Sequence, residues 1–428
     1  VEKIGKDEKM KSFYQHIISE AASPGKNLHL EHIEDEILNF GVKGGRASIN
    51  FLQELRDMLA GNSSKKVNVT VKWDGAPAVF AGIDPSDGKF FVGTKGVFAK
   101  NPKIVKTTAD LDTYGYSGGL REKLSLALKE LPKLGITGVL QGDMMFSSDD
   151  LEIKTIDGQE YITFQPNTIV YAIPTGSDLA KTIQKAKMGI IFHTTYEGGP
   201  TLADMTASFG ANVSGLRSTP SVWFDNADYQ DVSGKVLFTD KETIELTRYL
   251  SRAESVFQKI NTKSLDEFIR AQSQLASAAG SSFKTYNNSF IRAGKAIKDP
   301  RKHSMDYLRY FEDWWQTKAI GKVKTEKTKE AKRQKMQEHM RIIQKNLKTI
   351  QQITEFQIHL VDAKSMIVKK LNSGAGAMKT FVQTPTGFKV VGDEGYVAVD
   401  RLGKNAVKLV DRLEFSYNNF TAQKNWSK

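Results

Sequence analysis

The sequence contains no cysteine. That excludes disulfides, thiolate metal sites and a cysteine nucleophile, and leaves lysine, serine, histidine and carboxylates to carry any chemistry. No apolar run approaches the roughly eighteen residues of a membrane-spanning helix. The opening stretch VEKIGKDEKMKSFYQ lacks the apolar centre of a signal peptide, so a cytoplasmic protein is expected. Neither an internal repeat nor a low-complexity tail is evident. Acid is scarce relative to base: 61 Lys and Arg stand against 49 Asp and Glu, a formal charge of +12. Such an excess suits a polyanionic partner, either nucleic acid or an anionic membrane surface.

At 428 residues the chain exceeds one hydrophobic core, and two or three units are expected. Apolar residues recur at helical spacing in the first segment, 1–63: Phe13, Ile17 and Ala21, then Ile33, Ile37 and Phe40, then ASINFLQELRDMLAG with its closing glycine. Segment 64–239 changes to a period of two. VNVTVKW, PAVFAGI, KFFVGTK, GVLQGDMMF, LEIKTIDGQEYITF, TIVYAI and KMGIIFHTTY read as strands, with a turn at Asp157-Gly158. Segment 240–371 is helical throughout and ends in one long predicted helix whose stripe runs from Met336 to Ile367. After the Gly-rich hinge NSGAGAMK, segment 372–428 returns to strands. The expected fold is therefore α+β: antiparallel sheets with helices, interrupted by an all-α insertion.

Within VTVKWDGAPAVFAG the lysine Lys72 precedes Asp74 and Gly75. A lone K-x-D-G is a weak signal, since an edge-strand lysine before an Asp-Gly turn gives the same pattern. The chemical reading is a nucleophile: an amine shielded from water and placed near other cations loses basicity and can attack phosphorus. Gly75 would let the backbone approach a ligand closely.

The K-x-D-G element resembles motif I of the covalent nucleotidyltransferases, the group of ATP-dependent DNA ligases, RNA ligases and capping enzymes, and further segments resemble that family's motifs in order. FVGTKGVFAK is similar to motif Ia, which implies nucleic-acid phosphate binding by Lys95 or Lys100. GVLQGDMMF is similar to motif III and implies a ribose contact from Asp143, where the family usually has Glu. MGIIFHTTY is similar to motif IIIa and implies purine stacking by Phe192, with Tyr196 as the other candidate. GDEGYVAVD is similar to motif IV and makes Glu394 the implied magnesium ligand. NAVKLVDR is similar to motif V and implies an α-phosphate contact from Lys408, with Lys404 and Arg412 as substitutes for the family's second lysine. Thr70 stands where the family often reads the adenine edge. The resemblance covers roughly Val67–Tyr196 and Gly392–Arg412.

The resemblance implies an ATP-dependent polynucleotide ligase of phage style. Such an enzyme forms a lysyl-AMP on Lys72 with ATP and Mg2+, then seals nicks in duplex DNA as a monomer. An RNA ligase is the alternative, and a non-catalytic nucleic-acid-binding or virion protein retaining the fold is a third reading. Only about sixteen residues follow Arg412, too few for the OB-fold that closes many ligases over their substrate. The helical insertion is expected to grip instead, through Lys318, Lys322, Lys324, Lys327, Lys329, Lys332, Arg333 and Lys335. Trp314 and Trp315 are expected inside the bundle.

Two other constellations read as structural. His29 and His32 beside Glu31, Glu34 and Asp35 have metal-compatible spacing but no third distant ligand. FGVKGGRAS reads as a helix-to-helix turn, since no strand precedes it. His193 reads as a strand residue facing solvent.

Overall fold

The computed structural model describes residues 31–62, 68–229, 236–374, 378–384, 387–392, 394–399 and 406–416. The predicted helix at 13–21, His29 and Lys404 lie outside them.

The strands run β1 (Asn68–Val71), β2 (Ala78–Ile83), β3 (Phe90–Gly93), β4 (Val139–Ser147), β5 (Glu152–Ile156), β6 (Gln159–Phe164) and β7 (Ile169–Pro174). They continue with β8 (Met188–Glu197), β9 (Thr206–Phe209), β10 (Val222–Asn226), β11 (Lys379–Thr384), β12 (Gly387–Val390), β13 (Tyr396–Val399) and β14 (Ala406–Leu409). The helices are α1 (Glu36–Leu59), α2 (Thr108–Thr113), α3 (Gly118–Glu130), α4 (Asp178–Lys185) and α5 (Asp240–Gln258). After them come α6 (Thr262–Ser273), α7 (Phe283–Arg292), α8 (Pro300–Trp314), α9 (Glu326–Lys345) and α10 (Leu347–Asn372). The fold is α+β, as the alternating periods require.

A six-stranded sheet has the order β10-β8-β4-β2-β3 with β9 on β8, and it is antiparallel except where β10 runs parallel to β8. A five-stranded antiparallel sheet, β12-β11-β7-β6-β5, pairs the strands after the helical segment with those at 152–174. On β4 and β8 the two faces serve different layers. Leu140, Met144, Ile190 and Phe192 pack under α2 and α3 with Leu111, Leu124 and Ala127. Met145, Phe146 and Ile191 pack on Ile162, Phe164 and Tyr171 of the five-stranded sheet. Each fully buried side chain of this size contributes roughly 1.5–3 kcal/mol. β9 and β10 escape the sequence pattern because they are short and their burial does not alternate cleanly.

The third sheet, β1-β13-β14, has its underside on the helices. Val69, Val71, Tyr396, Ala398, Val407 and Leu409 share one core with Leu52 of α1, Leu250 of α5 and Ile353 and Leu360 of α10. The N-terminal helix and the helical segment are thus one body, pinned further by Arg46 donating to Glu254 at 2.6 and 2.7 Å. The FGVKGGRAS segment does change helix direction, at Gly41 (φ 61°). The long predicted helix is broken: Asn346 leaves helical geometry between α9 and α10, and its side chain donates to the Ile342 carbonyl and to Glu267. Trp315 is buried and donates to Ser281, and Trp314 lies against Gly280. Among the described residues no helix is long and apolar enough to cross a membrane.

Candidate active site

Thr70 of β1 and Lys72, the residue just past its end, lie on one face, because side chains two apart along an extended chain share a side. Its neighbour β13 pairs Val71 with Tyr396, and the Lys72 amide donates to the Gly395 carbonyl at 2.8 Å. A Cβ on Gly395 (φ 153°) would come within 2.6 Å of the Leu409 carbonyl, so glycine alone permits this close approach to β14. That turn brings Glu394 onto Lys72, 322 residues away in sequence, and the two form an ion pair.

The Lys72 side chain is 27% exposed and that of Glu394 is buried. Burial alone would lower the lysine, but contact with Glu394, reinforced by Asp143 and Asp74, holds its pKa above the ordinary value. The Glu394 carboxyl is also raised, by burial first, against the opposing pull of Lys72. The expectation that cations lower Lys72 is therefore corrected for this state: its nearest charged partner is a carboxylate. The lowered group is Lys408, through burial and then the charge of Lys72. Lys408 lies opposite Val397, which lies opposite Thr70, so the three share one face of the sheet. Among the described residues the Lys408 ammonium has no ion-pair partner.

Above this face lies a pocket of about 130 Å³ lined by Thr70, Lys72, Gln141, Asp143, His193 and Phe209, among others. Gln141 and Asp143 alternate onto it from β4. The β8 wall depends on a bulge: Gln141 pairs with Thr194 while Gly142 pairs with Phe192, leaving His193 as the extra residue. His193 and Thr194 consequently both reach the pocket, with Nδ1 of the histidine 2.8 Å from the Thr194 hydroxyl and Nε2 3.7 Å from Asp143.

Several expectations change. Phe192 is fully buried under α2 and α3, because the bulge follows it, and it does not line the pocket. Tyr196 is buried beyond Gln141, against Phe80 and Phe98, and does not itself line the pocket. Besides His193, the aromatic residues lining the pocket are Trp73, just past β1, and Phe209 of β9. His193 lines the pocket rather than facing solvent. Gly75 approaches protein, not open space: a Cβ there would meet the Asp143 Cβ at 2.5 Å. Asp74 is occupied structurally, accepting from the Thr168 and Ile169 amides and from Asn167 at 2.6–2.9 Å. Arg412 turns away to Asp35, Glu34 and Asn288. Glu34 itself pairs with Lys364, which gives the HLEHIED segment a structural role. Lys95 and Lys100 are exposed and do not line the pocket.

In the basic segment Lys332 donates to the Ala319 carbonyl, and Arg333 lies 3.3–3.7 Å from Glu330 and Glu326. Lys322, Lys324 and Lys335 are exposed, and no carboxylate pairs with them among the described residues. Gln141 shares a strand face with Asp143, so a period-two reading could have found it. His193 was hidden by the bulge, and nothing in the sequence marked Phe209.

The chain belongs to DUF6267, a family of unknown function, which it matches over residues 27–424. No curated protein and no solved structure matches it.

Proposed function

We propose that this member of DUF6267 is a lysine-dependent nucleotidyltransferase, acting with ATP as a polynucleotide ligase that seals nicks in duplex DNA. The observation that carries the reading is the Lys72–Glu394 pair, assembled from the two ends of the chain beside a pocket that also holds Asp143, with Lys408 on the same sheet face.

Lys72 in its resting state is an ammonium and must lose a proton before its nitrogen can attack. Glu394 is the carboxylate in contact with it and the nearest acceptor for that proton. The neutral amine would then form a bond to the α-phosphorus of ATP while the bond to pyrophosphate breaks, giving lysyl-AMP. Lys408, without an ion-pair partner among the described residues and facing the same side, would neutralise charge developing on the phosphate oxygens. Transfer of AMP to a 5′-phosphate and its displacement by a 3′-hydroxyl complete the sealing.

Magnesium, when bound, would neutralise the triphosphate. Among the described residues no cluster of three carboxylate, histidine or cysteine ligands exists. One or two carboxylates with the remaining positions filled by phosphate and water is the usual magnesium arrangement; Asp143 and, once it has passed the Lys72 proton on to solvent, Glu394 would fit that role. Duplex binding is assigned to the exposed lysines around α9.

Incubation with α-labelled ATP and magnesium, then denaturing electrophoresis, should label the wild-type chain and leave Lys72→Ala unlabelled. Failure of the wild type to take label from either ATP or GTP would overturn the reading. Nicked duplexes with DNA or RNA on each side of the nick then define the substrate.

A further inference from the structure

Gln141 is 8% exposed and lines the Lys72 pocket from β4. Its Oε1 accepts a hydrogen bond from the Tyr196 hydroxyl at 2.9 Å. Tyr196 is 1% exposed and wedged between Phe80 and Phe98, with ring centroids 5.5 and 5.1 Å away. Burial raises its hydroxyl well above the ordinary tyrosine range, so it stays a neutral donor. With the amide oxygen held, the amide nitrogen is the free end. No described residue accepts from it. With its oxygen held, the amide has two donors left for an acceptor in the open cavity it lines.

We propose that Gln141, oriented by Tyr196, is the specificity residue of the pocket and donates a hydrogen bond to a ring nitrogen of the bound nucleobase. The proposal rests on the reading of the Lys72 pocket as a nucleotide site. Phe209 supplies an aromatic surface in the same cavity, and the donor selects a base edge that presents a lone pair. Gln141 acts on ground-state and transition-state binding alike, so its loss falls on KM rather than on the rate at saturation.

The test uses the full chain and follows lysyl-nucleotide formation against nucleotide concentration. Gln141→Met keeps the volume and removes the donors. It should raise KM for ATP about fivefold to tenfold, the range of one neutral hydrogen bond, with the saturating rate within about twofold. Gln141→Glu, which replaces donor by acceptor, should raise it further. Tyr196→Phe should give a smaller rise. On the wild type, 1-deaza-, 3-deaza- and 7-deaza-ATP each lack one ring acceptor. One of them should show the same KM rise as Gln141→Met and no additional rise in that variant. Normal KM for all three analogues on the wild type overturns the proposal even if the variants fail to fold. Persistent labelling with unchanged KM in Gln141→Met overturns it while leaving the nucleotidyltransferase reading intact. A wild type that takes no label from any nucleotide overturns both.

Discussion

Lys364 of α10 donates to both carboxylate oxygens of Glu34, at 2.7 and 2.8 Å, with both side chains under 5% exposed. Arg412 stands 3.5 Å from the same carboxylate, so the start of the described chain, its last helix and its final segment meet at one buried charge. Burial pushes Glu34 up, but Lys364, His32 and Arg412 together bring its pKa down to about 2. Lys364→Met should destabilise the fold by about 3 kcal/mol, at the low end for a broken buried pair because Arg412 remains. Adding Glu34→Leu should recover most of that loss. Urea titrations of the three proteins check it, and an undiminished midpoint in Lys364→Met would refute the assignment. A depressed carboxylate contributes stability above its unfolded pKa of 4.5 and loses it as pH falls toward 2, so the deficit of the single variant should shrink in acid.

Glu36 has the opposite sign. Burial, partly offset by the Asn39 hydrogen bond, raises its pKa to about 7. The group therefore favours the folded state below pH 4.5 and loses that contribution as pH rises through about 7. Glu36→Gln should melt at a higher temperature than the wild type at pH 8 and converge with it at pH 4.5. Melting curves that stay parallel across that window would show that Glu36 ionises freely.

Gly75→Ala should remove most Lys72 labelling while the protein stays folded. The new methyl would sit 2.5 Å from the Asp143 Cβ and 3.1 Å from the Met144 carbonyl, forcing the loop after β1 away from β4. Gly119→Ala, in the first turn of α3 with nothing within 4 Å, is the matched control and should be neutral or slightly stabilising. Equal labelling of the two variants would mean that the loop has slack.

Substitution of Lys322, Lys324 and Lys335 together by alanine should reduce the slope of log K against log salt for nicked duplex binding by up to about 2.7, three phosphate contacts' worth. Lys332→Ala with Arg333→Ala should change it less, since those side chains are held by Ala319, Glu326 and Glu330. Fluorescence anisotropy between 50 and 200 mM salt, a range of roughly a thousandfold or more in affinity for six or more contacts, resolves the difference.

Strand and helix regions were legible because periods of two and 3.6 follow directly from which face is buried. β4 and β8 are buried on both faces yet still alternate in the layer they serve, which is why GVLQGDMMF and KMGIIFHTTY read correctly. The Lys72–Glu394 proximity was legible only through ordered motif resemblance, since local pattern says nothing about residues 322 apart. The role that motif resemblance implied for Phe192 and the solvent-facing reading of His193 both fail at one irregularity: an extra residue at His193 turns that side chain and Thr194 onto the pocket while Phe192 stays in the core. Asn346 shows the same limit in helices, where an uninterrupted apolar stripe hid a break at a residue whose side chain donates to the Ile342 carbonyl four residues back.

The shared core beneath β1, β13 and β14 makes this chain a poor substrate for cut-and-paste engineering. A chimera joined at residue 240 would strand Tyr396 and Leu409 without the α5 and α10 side chains they lie on, and so loosen the strands that carry Lys72 and Lys408. The helical segment and the lysine site must be inherited as a unit. Changes in substrate grip would then be made by altering surface residues, not by exchanging whole modules.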